Sequence, residues 1–241
     1  MRTGYEPTSP RPSTVRSVIS CPMAQIVPRA GVLALLLGLS SAASAQDVQD
    51  PYVVLDEASA RFATIQSLCA DFRQVLDVRL LQERREGTGR LCQERPGLFS
   101  MRFDDPAGDM VVVDGESAWM YTPSRDPNQV IRTKVSAATK RLDLHSEFLE
   151  SPRERYVAEY EGADTVAGVQ TTRILLRPRE RTSYREAVVW IGPDNLLRQV
   201  EIREENGSVR TVTLLTNEPG VDVPPATFRF SPPPGARVME R

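Results

Sequence analysis

Residues 95–124 read RPGLFSMRFDDPAGDMVVVDGESAWMYTPS, and this stretch carries the clearest fold signals in the chain. Phe99, Met101 and Phe103 alternate with polar residues, so a strand here would turn three large apolar side chains to one face. The aspartates, proline and glycine that follow are turn formers, and they predict the end of that strand.

Two further strands are predicted in the same stretch. Residues 110–113 are an apolar run, Asp114-Gly115 is a tight-turn dipeptide, and residues 118–121 resume strand composition with Trp119 and Tyr121 on one face. The sequence therefore predicts a hairpin within an antiparallel sheet that has at least one apolar face.

The amino terminus predicts a secretory leader. An apolar run of ten residues, AGVLALLLGL at 30–39, follows Arg29 and precedes small residues that end at Ala45. Because ten residues fall short of the ~20 that a spanning helix needs, we expect cleavage after Ala45 rather than a membrane anchor. Residues 1–22 are either an extension from an upstream start site or a disordered segment that precedes a compact signal peptide beginning at Met23.

The rest of the chain, residues 46–241, is expected to form one soluble domain. Removing residues 1–45 takes away four Arg and one Glu and moves the formal net charge from −2 to about −5. Basic residues are scattered among acidic ones, which argues against a nucleic-acid partner. Cys21 precedes the apolar run, so it is not a lipid-acceptor cysteine.

Cys69 and Cys92 remain after processing, and two unpaired thiols are unusual in an exported protein. We therefore expect a structural disulfide. Against this, a hairpin turn centred near Arg84 and Arg85 would place Cys92 opposite Asp77. Only a longer loop, a bulge or a helix-to-strand link would then bring the two cysteines together.

The chain predicts one amphipathic helix followed mostly by strands. Asp50-Pro51 suits a helix start, and apolar residues then recur at steps of three and four: Leu55, Ala58, Phe62, Ile65 and Cys69. From Phe72 the period becomes two. Further strands of an antiparallel meander are predicted at 88–94, 129–134, 155–160, 171–177, 186–191, 197–203 and 209–215. Residues 143–150 predict a short helix or hinged lid that Pro152 ends, and residues 227–231 an edge strand.

Catalysis has little support in the sequence. The only histidine, His145, lies in the predicted lid, and no His, Cys, Asp or Glu cluster has metal-ligand spacing. Asp104 and Asp105 would face opposite ways in a strand, and the proline after them favours a solvated turn. We therefore expect no enzymatic activity, no cofactor and no metal.

Several short motifs, in this order and spacing, resemble the LolA-type periplasmic carriers of outer-membrane lipoproteins. They are Phe72-x-Gln74, a Gly87 to Gly89 turn into a strand ending Arg95-Pro96-x-x-Phe99, the Pro106 turn, Val113-Asp114-Gly115, Trp119-x-Tyr121-x-Pro123 and Phe228-x-Phe230-x-Pro232-Pro233-x-Gly235. Residues 136–155 match the pattern poorly, and the two cysteines are not part of it.

The resemblance implies an α+β fold, mainly antiparallel β: an incomplete (half) β-barrel closed by short helices, LolA/LolB-like, around an apolar cavity for acyl chains. It also implies a monomer in the periplasm of a diderm bacterium. Such a carrier takes acylated lipoproteins from an inner-membrane ABC-type release complex and passes them to an outer-membrane receptor lipoprotein.

On this basis the sequence predicts a set of cavity residues, although such an apolar stripe is also typical of an ordinary core. The set is Phe99, Met101, Phe103, Met110, Trp119 and Tyr121 on the sheet, with Leu144, Phe148 and Leu149 on the lid. The resemblance further implies that Arg95 is a latch, which holds the helical lid closed through hydrogen bonds when no cargo is bound. Without the resemblance, Arg95 would be interpreted as a surface arginine at a strand end.

Two other functions remain open at this point. A periplasmic lipid- or lipoprotein-sensing domain of a stress-signalling system would bind lipid but contact a membrane-spanning regulator. A lipid-modifying hydrolase would need a nucleophile beside a base, and His145 is its only obvious candidate.

Overall fold

The computed structural model describes residues 50–135 and 143–240, so the predicted leader lies outside the described residues. Within these two ranges, no helix is both long and apolar enough to cross a membrane. The helices are α1 (Pro51–Ala63), α2 (Leu144–Leu149) and α3 (Pro152–Arg155), with 3-10 turns at Arg79–Leu81 and Pro225–Phe228. The strands are β1 (Ser67–Val78), β2 (Glu83–Glu94), β3 (Leu98–Asp105), β4 (Met110–Asp114), β5 (Ser117–Tyr121), β6 (Gln129–Lys134), β7 (Tyr156–Val166), β8 (Val169–Pro178), β9 (Tyr184–Ile191), β10 (Leu197–Glu204), β11 (Val209–Leu214), β12 (Glu218–Pro219) and β13 (Arg237–Glu240).

Thirteen strands of the described residues form one sheet, in the order β13-β6-β5-β4-β3-β2-β1-β11-β10-β9-β8-β7, with β12 also paired to β1. Two antiparallel meanders, β1 to β6 and β7 to β11, are joined where β1 pairs with β11. The edge strands β13 and β7 do not meet, so the sheet is an open half-barrel. The predicted α+β, mainly antiparallel fold class is confirmed.

Helix α1 begins as the sequence predicts and ends earlier. The Asp50 side chain accepts a hydrogen bond from the backbone N–H of Tyr52 at 2.9 Å, and Pro51 occupies the first turn, where it costs no hydrogen bond. The helix ends at Ala63, so the helix predicted from the three-and-four spacing, which ran to Cys69, was too long. Ile65 follows the helix, and Cys69 belongs to β1.

The hairpin between β1 and β2 turns at Arg79–Leu81 and at Gln82, whose φ is +50°, so the predicted turn at Arg84 and Arg85 was wrong. The actual turn, RLLQ, contains none of the usual turn formers, and the sequence therefore carried no signal for it. The resulting register places Cys69 directly opposite Cys92, and their Sγ atoms are 2.04 Å apart, at disulfide distance.

Gly87 and Gly89 lie inside β2 and do not form the turn that the family resemblance suggested. A Cβ atom at Gly89 would collide with the backbone oxygen of Arg102, and one at Gly87 would lie 2.9 Å from the Phe103 ring. Glycine is therefore required here because β2 and β3 approach each other closely, with a register shift between Thr88 and Gly89.

The helices cover one face of the sheet, which we call the inner face. The main core lies there, between α1, α2 and the strands around β1. Its largest fully buried side chains include Phe72, Phe148, Tyr156, Leu55, Leu91 and Leu214.

The opposite, outer face is covered in part by the segment that follows β12. Val223 and Phe228 pack against Cys69 and Cys92 there. The edge strand predicted at 227–231 was therefore wrong, because Pro225–Phe228 is a 3-10 turn that packs across the sheet. The edge is instead β13, which pairs with β6 in parallel.

Candidate ligand-binding site

A void of about 370 Å³ lies beneath the helices at one end of the inner face. Its apolar lining comes from Phe62 at the end of α1, from Phe99 and Val113 on β3 and β4, and from Val135 after β6. The remaining lining residues are Gln93, Glu94, Arg95, Pro96, Gly97, Leu98, Gly115, Asp143, Ser146 and Glu150. At ~30 Å³ per water molecule, the void has room for on the order of ten waters.

Six of the predicted cavity residues lie on the inner side of the molecule, and of these only Phe99 lines the void. Met101, Phe103 and Leu144 are partly buried against the main core. Phe148 and Leu149 on α2 are fully buried in that core, where the Phe148 ring lies 5.9 Å from the Tyr184 ring. With α2 in this position, its own side chains fill the part of the inner face that it covers.

The structure places the other three predicted cavity residues, Met110, Trp119 and Tyr121, on the outer face. Cross-strand partners share a face, and the partners of Phe99 and Met101 on β4 are Val113 and Val111. Met110 therefore points the other way, as do Trp119 and Tyr121 on β5, which pair with Val112 and Met110. Each of the two aromatic rings lies 5.7 Å from the Phe230 ring. Including these three residues in the cavity was wrong, because the pairing register decides which face each strand presents.

Arg95 contacts the end of α1. Its guanidinium donates hydrogen bonds to the backbone oxygens of Phe62 and Ile65, both at 3.1 Å, and lies 4.4 Å from the centre of the Phe62 ring. The last carbonyls of a helix have no partner within it, and a planar guanidinium suits them well. The contacts thus resemble those expected of a latch. However, Arg95 holds α1, whereas the sequence predicted that it would hold the lid at residues 143–150, which is α2.

Helix α2 is held by a buried polar cluster around Glu147, whose side chain is 4% exposed. One carboxylate oxygen accepts from Arg155 at 2.6 Å, and the other accepts from the hydroxyls of Tyr184 at 2.5 Å and Tyr156 at 3.2 Å. Arg155 also donates to the backbone oxygens of Ser146 and Glu147. The cluster satisfies a carboxylate that would otherwise be costly to bury.

The titration of this cluster follows from its burial. Burial raises the pKa of the Tyr156 and Tyr184 hydroxyls, and the charge of Glu147 raises that of Tyr156 further. Burial alone would lower the pKa of Arg155, but its hydrogen bond with Glu147 and its charge interactions with Tyr156, Glu147 and Tyr184 together outweigh burial and raise the pKa. Both tyrosines therefore stay neutral and act as hydrogen-bond donors.

His145 packs within the helical cover. It is 2% exposed, its ring stacks on Phe62 at 5.4 Å, and its Nδ1 lies 3.7 Å from an Asp143 oxygen. In the part of the chain that the structure describes, its buried Nε2 has no hydrogen-bond partner. A hydrolytic base would need a nucleophile within hydrogen-bond reach, so this arrangement does not favour the hydrolase hypothesis.

Sequence reasoning missed several residues that build the site. Phe62 was assigned to a helix face, and Val113 to a strand and to the Val113-Asp114-Gly115 motif, but neither was predicted to line the cavity, although their apolar character was visible. Glu147 gave no signal, because an acidic residue on a short helix is normally exposed to solvent. Its role depends on Arg155 and Tyr184, which come from different elements.

The chain is similar to a known protein family, to individual members of it and to a solved structure. The family model described as outer membrane lipoprotein carrier protein LolA matches residues 63–231. An outer-membrane lipoprotein carrier protein from Chromobacterium violaceum is 24% identical over 217 residues, covering 90% of this chain and 98% of that protein. One from Alkalilimnicola ehrlichii is 28% identical over 155 residues, covering 64% of this chain and 69% of that protein. The crystal structure of an uncharacterized conserved protein from Thermus thermophilus aligns with a TM-score of 0.51 at 14% identity, covering 79% of this chain and 98% of that one, a likeness of fold alone.

Proposed function

Because the chain belongs to the LolA family of outer-membrane lipoprotein carriers, we propose that it is a periplasmic chaperone that carries lipoproteins from the inner to the outer membrane. It binds the acyl chains of its cargo in the apolar space between the sheet and its helices. It is a carrier and acts without a cofactor or catalytic group.

The observation that carries the proposal is the partly apolar void beside α1 and α2. In addition to the apolar core, polar contacts hold these helices: Arg95 donates to the Phe62 carbonyl of α1, and Tyr184 on β9 donates to Glu147 of α2. Each methylene removed from water contributes about 0.8 kcal/mol to the binding free energy, so even a shallow apolar surface can bind acyl chains. A void with room for on the order of ten waters is small for a lipoprotein with several acyl chains. Loading therefore moves the helices away from the sheet and opens the inner face.

The proposed path has two partners. An ABC-type release complex in the inner membrane supplies acylated lipoproteins, and an outer-membrane receptor lipoprotein accepts them. The carrier travels between them as a soluble monomer, after its leader has been removed near Ala45.

The direct test is to express the full chain so that it is exported, purify the protein from the periplasm without detergent, and identify bound molecules by mass spectrometry. Acylated lipoprotein peptides at close to one per chain are the expected result. Free phospholipid alone, or no lipid at all, would contradict lipoprotein transport, and phospholipid would favour the lipid-sensing alternative.

A second test concerns Arg95→Leu. The variant removes both hydrogen bonds to the end of α1, which destabilises the closed, empty form relative to the loaded one. We expect lipoprotein uptake at the normal level and hand-over to the receptor slowed about tenfold, as the loss of two ordinary hydrogen bonds implies. Transfer is measured by the lipoprotein released to receptor-bearing vesicles.

Arg95→Lys is the matched control. Lysine keeps the charge and can still donate to one of the two carbonyls, so hand-over should lie between that of the wild type and that of Arg95→Leu. Normal transfer by Arg95→Leu would refute the latch role of this residue.

A further inference from the structure

The register of the sheet aligns apolar side chains directly across seven neighbouring strands. Each residue of this row is the Cα partner of the next, and all lie on the inner face. The row runs Ala70, Leu91, Met101, Val111, Met120, Ile131 and Met239.

The row begins in the core and ends in solvent. Ala70 is 0% exposed and Leu91 1%, whereas Met120 is 38% exposed and Met239 49%. Among the residues that the structure describes, the helices therefore cover the β1 end of the row, and the side chains toward the β13 end are exposed. We call the part from Met101 to Met239 the apolar track.

The apolar track adjoins the void. Met101 and Val111 pack against the cluster of Phe99, Val113 and Ala118, and Phe99 and Val113 line the void. An apolar molecule in the void can thus continue along the track without crossing a polar row.

The dimensions and chemistry of the track fit one linear hydrocarbon chain. Five strands at ~4.8 Å spacing give a track about 19 Å long, and one acyl chain spans about half of the ~30 Å core of a bilayer. Methionine side chains are flexible and polarisable, which suits a ligand that has no fixed shape. A contiguous exposed apolar patch is a candidate surface for binding an apolar ligand.

We propose that the apolar track binds one acyl chain of the cargo, which extends from the void across β4, β5 and β6 to β13. The proposal rests on the proposed function and adds a second, uncovered acyl site to it. The helices need not move to admit this chain, so the track is available while α1 and α2 are still closed.

The test uses Met120→Glu, which places a charge at the middle of the track, and synthetic triacylated lipopeptides with either palmitoyl or octanoyl chains. Palmitoyl lipopeptide should bind at least about tenfold more weakly to the variant, equivalent to about two lost buried methylenes. Octanoyl lipopeptide has shorter chains that do not fill the track, so the variant and the wild type should bind it with affinities that agree within about twofold. Full-length protein purified from the periplasm is used throughout.

A matched pair of variants on β13 controls for surface charge. Met239 faces the track, whereas Val238, 42% exposed, is on the outer face of the same strand. Met239→Glu should weaken palmitoyl binding selectively, and Val238→Glu should not. Thermal unfolding of each variant shows whether the fold is intact, and because Met239 is an exposed edge residue its substitution should leave stability unchanged.

The outcomes separate the two proposals. If the wild-type protein binds neither lipopeptide, the carrier function itself fails. If the wild type binds palmitoyl lipopeptide and both track variants bind it equally well, the track proposal is overturned and the carrier function stands. A loss that is equal for the two chain lengths, or equal for Met239→Glu and Val238→Glu, also overturns the track.

Discussion

At the scale of single residues, the Asp114 carboxylate shows how one side chain fixes a turn. It accepts hydrogen bonds from the backbone N–H groups of Glu116 at 2.9 Å and Ser117 at 2.8 Å, and from the Trp119 indole at 2.8 Å. Burial alone would raise the pKa of this carboxyl, but the hydrogen bonds outweigh burial and lower it. Asp114→Asn should therefore reduce the free energy of unfolding by about 1 to 3 kcal/mol at pH 7, because an amide nitrogen cannot accept from the indole.

The same substitution has a defined pH dependence. A lowered folded-state pKa means that the carboxylate stabilises the fold above its unfolded pKa, about 4, and that this contribution is lost as the pH falls through the folded pKa. The difference between wild type and Asp114→Asn, measured by urea unfolding, should shrink from pH 6 toward pH 2. Glu116→Gln, in the same turn but exposed, should show almost no difference at any pH. A gap that stays constant with pH would contradict the assigned role.

At the scale of elements, α2 is short and depends on its buried carboxylate. Glu147→Gln removes the ion pair with Arg155 and leaves an amide nitrogen beside donors, which should weaken the docking of α2 by about 2 kcal/mol or more. The expected result is faster amide hydrogen exchange within residues 144–149, by at least about tenfold, and little change in β1 or β11. Hydrogen exchange followed by mass spectrometry of peptic fragments measures both regions at once.

The control for this element is Glu154→Gln on α3. Glu154 is exposed and outside the polar cluster, so exchange in α2 should match the wild type. Unchanged exchange of α2 in Glu147→Gln would mean that the apolar contacts of Phe148 and Leu149 hold the helix by themselves.

At the scale of the whole molecule, binding of an acylated cargo should move α1 and α2 away from the sheet while the sheet itself stays intact. Because Phe148 and Leu149 fill the part of the inner face beneath α2 when the protein is closed, acyl chains can occupy that part only if α2 leaves it. Addition of triacylated lipopeptide should therefore accelerate exchange in α2 and at the end of α1, while the paired centre of β1 and β11 stays protected. The unacylated peptide should have no effect, and equal protection of α2 with and without lipid would exclude opening of this kind.

The amino-acid sequence alone determined part of the local structure of this protein, mainly the strands from β3 to β6 and the start of α1. Alternation of apolar and polar residues located β3, although the strand continues through Asp105, two residues past the predicted end. An apolar run and the Asp114-Gly115 turn placed β4 and β5 within one residue, and the strand at 129–134 has the predicted bounds. Asp50 and Pro51 located the start of α1. These features depend on neighbours within a few residues, which is why periodicity and capping chemistry reveal them.

Only the tertiary structure decided which residues meet. The register of β4 and β5 sent Trp119 and Tyr121 to the outer face, and the unmarked turn at 79–82 placed Cys69 opposite Cys92. The anchoring of α2 brings Glu147 together with a tyrosine 37 positions away in the chain. Contacts of this kind follow from pairing and packing between distant segments, and a local pattern contains no information about which distant segment will be the partner.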